Sequence, residues 1–122
     1  MAKLIYCATP SRLVKKIKEI MDFVNERGNA PLHPFQAFPY ERFEGNPNVG
    51  RKKTIEWCLK LMEMCDEFWL FGISEGTLQE LNYALKIKKP AKTFLEFDED
   101  WKKFYEELGD NFSDPLKKIE RS

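Results

Sequence analysis

The chain has 122 residues, 43% of them hydrophobic and 33% charged, and its acids and bases cancel to a net charge of zero. That length fits a single domain, residues 1–122, able to hide roughly two-thirds of its unfolded surface. The balanced charge argues against nucleic acid as a partner, and no apolar run approaches the ~20 residues of a membrane span.

Leu4–Ala8 is a short, nearly continuous apolar run, as expected of a strand buried on both faces. Thr9-Pro10-Ser11 breaks it, and Ser11 is placed to cap a helix whose apolar stripe is Leu13, Val14, Ile17, Ile20, Met21 and Val24. Gly28 stands where a helix stops. Asn29–His33 reads as a second, shorter strand, with Pro31 marking an edge position. Residues 34–50 show no period, and a loop of that length tends to be a lid or a binding loop. It carries Phe35, Phe38, Tyr40 and Phe43. A second helix begins near Lys52 or Lys53 and turns Ile55, Cys58, Leu59, Met62 and Cys65 inward. Glu67–Phe71 is a third strand, closed by Gly72, and a third helix follows from about Thr77 with Leu78, Leu81, Ala84 and Leu85 buried. Lys89-Pro90 stops that helix before a fourth strand at Lys92–Leu95. Residues 95–122 form a helical tail, helical around Trp101–Leu108 and again past Pro115.

Strands alternating with helices predict an α/β fold: a three-layer, flavodoxin-like or Rossmann-like sandwich around a short parallel sheet of order 2-1-3-4. In such a sheet the ligand crevice lies beyond the carboxyl ends of the first and third strands, where strand order reverses. The segments that meet there are Tyr6–Arg12 and Gly72–Glu80. Neither holds a G-x-G-x-x-G or a P-loop, and the first lacks the paired acids of a response regulator. Gly72–Thr77 runs into the positive end of a helix and offers an anion cradle. The plainer reading is a capping box, Thr77-Leu78-Gln79-Glu80, in which Glu80 returns a bond to the Thr77 backbone. On spacing alone the cap is the favoured of the two.

Cys7, Cys58 and Cys65 are odd in number and lack a C-x-x-C pair, which speaks against a disulfide framework or a zinc knuckle. His33 is the only histidine, so neither a histidine metal cluster nor a Ser-His-Asp triad is expected. These features, with an opening apolar run too short for a signal peptide, predict a cytoplasmic protein without metal or redox cofactor. A surface rich in Lys and Glu hints at a thermophile.

Three stretches are similar to the nucleoside 2-deoxyribosyltransferase-like superfamily, across roughly residues 4 to 95. They are Ile5-Tyr6-Cys7-Ala8-Thr9-Pro10, the Gly28 to Pro34 run ending Pro-Leu-His-Pro, and Cys65–Phe68 continued through Ser74-Glu75-Gly76-Thr77-Leu78-Gln79-Glu80-Leu81-Asn82-Tyr83-Ala84. The resemblance implies cleavage or exchange of the N-glycosidic bond of a nucleoside or its 5′-monophosphate. It places Glu80 as the nucleophilic carboxylate, kept ionised in a helix's first turn by the dipole. Tyr6 would line the sugar pocket and orient Glu80. Ser74 and Gly76 would contact sugar or phosphate, with Thr9, Ser11 and Arg12 on the phosphate-side loop. It also implies a homodimer or higher homo-oligomer.

The chain departs from that pattern. Cys58 stands where the second helix often carries an Asp that assists the leaving base, and Glu56 lies about 200° around the helix from it. Thr9 replaces a usual glycine, and no tail residue for completing a neighbour's pocket is found. Phe35, Phe38 and Tyr40 either stack on a nucleobase or pack, with packing favoured. His33 reads as a hydrogen-bonded structural residue, Cys58 and Cys65 as core thiols, and Asp66 as a structural acid. Trp101, Phe104 and Tyr105 read as docking or oligomer anchors. Two further functions stay open: a nucleotide-binding sensor without turnover, and a protein-interaction domain.

Overall fold

The computed structural model describes residues 2–37 and 50–108, so Phe38, Tyr40, Phe43 and the helical piece expected past Pro115 lie outside the described residues. Strands β1 (Leu4–Ala8), β2 (Ala30–Leu32), β3 (Glu67–Leu70) and β4 (Ala91–Thr93) pair in parallel in the order β2-β1-β3-β4. This is the α/β, flavodoxin-like layout that the alternation predicts. The edge position of β2 agrees with Pro31, which has no N–H to give a ladder.

The pleat sends alternate residues of the two central strands to opposite layers. Ile5, Cys7, Trp69 and Phe71 pack on Ile20 and Val24 of helix α1 (Ile17–Glu26). Phe23, Phe94 and Phe97 close that layer edge to face, with Phe23 centred 4.9 Å from Phe94. Tyr6, Ala8, Phe68 and Leu70 face Cys58 and Met62 of α3 (Gly50–Met64) and Leu78, Leu81 and Ala84 of α4 (Glu75–Lys86). Helix α5 (Trp101–Leu108) packs its Trp101, Phe104, Tyr105 and Leu108 on this second layer.

Local chemistry moves several boundaries. The chain enters its first helical stretch from Pro10 in extended conformation, without a side-chain cap, and winds a 3-10 turn (Ser11–Lys16) before α1. Ser11 therefore does not cap the helix; a kink at Leu13 (φ −98°, ψ 18°) falls within the 3-10 stretch, and Val14 of the expected stripe is exposed. Gly28, at φ +80°, ends α1 in the left-handed region as expected, accepting a conformation costly to other residues. The stretch read as structureless after His33 opens with a short helix, α2 (Pro34–Ala37), whose Gln36 and Ala37 N–H groups both donate to the His33 carbonyl. Gly72 is fixed by space. A Cβ there would lie 2.7 Å from Cδ of Pro10 and 2.9 Å from Leu13, so the turn after β3 closes tightly on the turn after β1. Among the described residues, no helix is long and apolar enough to cross a membrane.

Candidate functional site

Parallel strands deliver β1 and β3 to the same edge, so the segments after Ala8 and after Leu70 meet there. Helix α4 begins at Glu75, with Ser74 as its N-cap. Ser74 Oγ accepts from the Thr77 N–H at 3.1 Å, and Thr77 Oγ1 accepts from the Ser74 N–H at 2.8 Å. The capping box is thus Ser74 with Thr77, and the expected Thr77–Glu80 box does not form. The helix starts two residues earlier than its periodicity predicts, because Ser74 offers the same chemistry upstream. Glu80 consequently sits in the second turn, released from any capping duty.

Its carboxylate turns instead to the sheet. Glu80 Oε2 accepts from the hydroxyl of Tyr6, which is fully buried on β1 and stacked on Phe68 at 5.7 Å between ring centroids. The thiol of Cys58 on α3 is near enough to the Tyr6 hydroxyl for each group to affect the other's titration. Three elements therefore converge on one short chain of groups, Cys58–Tyr6–Glu80. Burial pushes the Glu80 carboxyl up to about 7, although the Tyr6 bond favours the charged form and works the other way. The expectation of a carboxylate held ionised by the helix dipole is corrected here: in the second turn, desolvation outweighs the dipole, which fades beyond the first turn. Tyr6 is held well above its usual range, by burial first and then by the Glu80 charge. Burial likewise pushes the Cys58 thiol up to about 12, so it stays protonated near neutrality.

In front of Glu80 lies a hollow of about 280 Å³. Thr9, Pro10, Ser11, Phe35, Ser74 and Gly76 line it with Glu80, together with Pro34, Cys58 and Thr77. Of the residues the sequence singles out, the structure brings Glu80, Thr9, Ser11, Ser74, Gly76 and Phe35 to this one space. Tyr6 reaches Glu80 from within the core and does not line the hollow. Thr9 is occupied: its hydroxyl donates to the Cys7 carbonyl at 3.3 Å and meets His33 Nε2 at 3.0 Å. His33 Nδ1 accepts from the Phe35 N–H at 3.2 Å, which leaves the proton on Nε2 and makes the ring a neutral brace between β1 and α2. Burial lowers its pKa to about 4.

Arg12 stands apart from Glu80, on a neighbouring hollow. Its guanidinium donates to the Ile73 carbonyl at 2.6 Å, pairs with Asp98, and lies 3.6 Å from the centre of the Phe104 ring. Phe104, read as a docking anchor, is a wall of that hollow as well. Cys58, read as a core thiol, is buried and also lines the Glu80 hollow. Sequence reasoning missed Asp98. It is 1% exposed and accepts both from Arg12 and from the Ile73 N–H at 3.0 Å. Its only sequence signal is an acid just after the fourth strand. Asp66 is structural as expected, accepting from the Leu4 N–H at 2.7 Å. Among the described residues, no group of three or more His, Cys, Asp or Glu side chains could hold a metal ion.

No curated protein and no solved structure matches the chain. Residues 5–94, from β1 through the end of β4, match the family described as Domain of unknown function (DUF7768), and the chain belongs to that family.

Proposed function

We propose that this domain cleaves or exchanges the N-glycosidic bond of a deoxynucleoside or its 5′-monophosphate, with Glu80 as the nucleophile. One observation carries the reading: a carboxylate freed from helix capping is held by a buried tyrosine at the wall of an open hollow at the switch point of the sheet. Tyr6 engages Oε2, which leaves Oε1 to attack the anomeric carbon. The bond from C1′ to the base nitrogen breaks, its electron pair leaves with the base, and the base takes a proton from solvent. A glycosyl ester on Glu80 results. Water, or a second base in the exchange reaction, then attacks C1′ and returns the carboxylate, as in retaining glycosidases.

The attacking form is the ionised one. With the carboxyl near 7, kcat/KM rises with pH through that value and levels off above it. Incubation with a panel of deoxynucleosides and their monophosphates is expected to release free base, and Glu80→Ala to abolish the release. Undiminished release by that variant removes Glu80 from the mechanism. A second reading, binding without turnover, draws on Cys58: among the described walls Glu80 is the only carboxylate, so no second acid assists the leaving base there. A rise in Tm with nucleotide but no base release favours it.

A further inference from the structure

The cleft does not end at Glu80. A second hollow of about 340 Å³ shares Pro10, Ser11 and Ser74 with the first, so a ligand group carried past the start of α4 enters it. Its other walls are Arg12, Glu75, Phe104, Glu107 and Leu108. Arg12 is the one cation among these described walls, and its charge is already matched by Asp98. Turning Arg12 toward a ligand would strand a carboxylate that is 1% exposed, and an unpaired buried charge is heavily penalised. Ser74 is engaged too, with both its hydroxyl and its N–H bonded to Thr77. What remains on the walls is the negative charge of Glu75 and Glu107 and the apolar surface of Pro10, Phe104 and Leu108. A phosphate dianion meets like charge there, whereas an uncharged ring or alkyl group meets Phe104 and Leu108.

We infer that this second hollow is a subsite for an uncharged, largely apolar group, so that the site takes an unphosphorylated nucleoside in preference to its 5′-monophosphate. The inference rests on the glycosyl reading of Glu80 for the kind of ligand. It assigns Arg12 to holding the subsite wall through Asp98 and Phe104, in place of the phosphate contact implied by resemblance.

The test compares a nucleoside with its 5′-monophosphate, by base release and by ligand-induced change in Tm, at low and high salt. At low salt the nucleoside is expected to have the higher kcat/KM by about tenfold or more. Salt narrows the gap, because it screens the repulsion. The double variant Glu75→Gln/Glu107→Gln, changed at two exposed positions, narrows it at low salt. Equal or better turnover of the monophosphate, or a ratio unmoved by the double variant, overturns the inference and leaves the Glu80 reading standing. If neither compound is turned over, the glycosyl reading falls and the Tm decides the subsite. A larger shift with the nucleoside supports it; a larger shift with the monophosphate, or none with either, overturns it.

Discussion

At Glu80 two forces oppose one another: desolvation favours the protonated acid, while the Tyr6 hydroxyl favours the carboxylate. The folded-state pKa is raised from 4.5 to about 7, so the stability this group contributes is present below 4.5 and lost as pH rises through 7. Glu80→Gln keeps an acceptor for Tyr6 and cannot ionise. Its stability relative to wild type should therefore grow by roughly 3 kcal/mol between those limits and level off above, read as Tm against pH. A flat difference would contradict the burial of the charge. His33 acts in the opposite sense. Its pKa falls from 6.5 to about 4, so its contribution is present above 6.5 and lost as pH drops through 4. Tyr6→Phe removes the bond that lowers the Glu80 value, and should move the rising limb of the pH–rate profile to higher pH while reducing the rate above it. A limb that stays in place would remove Tyr6 as the orienting group. Glu80 was legible as a candidate, but its freedom was not, because two overlapping capping signals compete at Ser74 and Thr77 and spacing alone does not rank them.

The elements around the site are joined by a few close contacts. Gly72 lets the turn after β3 touch Pro10, and Gly72→Ala should cost about 1–3 kcal/mol in a denaturant titration, since Pro10 and Leu13 must move to admit a methyl group. Asp98 ties the segment before α5 to both the 3-10 turn and the turn after β3. Asp98→Ala leaves the Arg12 charge without its counter-ion and the Ile73 N–H without its acceptor, at a cost of about 3–5 kcal/mol, while Asp98→Asn should recover part of the loss by still accepting from Ile73. Equal stability of all three proteins would mean that the clamp holds nothing. This link is invisible in the sequence: Arg12 and Asp98 are far apart along the chain, and only the fold brings them together. The same distance hides the role of Phe104, whose helical stripe speaks only of burial and not of the cation it faces.

Across the whole molecule, the strand order was readable because each step has a local cause. Continuous apolar runs mark β1 and β3 as central, Pro31 marks β2 as an edge, and helices between strands force parallel pairing. That order fixes where the cleft must lie. Its division into a polar hollow at Glu80 and a neighbouring hollow walled by α5 was not readable, since it depends on how the tail packs. The chemistry assigned to that cleft is tested most directly by trapping. A nucleoside with fluorine at C2′ slows loss of the glycosyl ester by destabilising an oxocarbenium-like centre. After incubation, intact-mass and peptide mass spectrometry should find the fluorosugar on the peptide bearing Glu80 in wild type, and on no peptide in Glu80→Gln. Base release by the wild-type protein with the label elsewhere, or with none at all, would contradict a glycosyl–Glu80 intermediate.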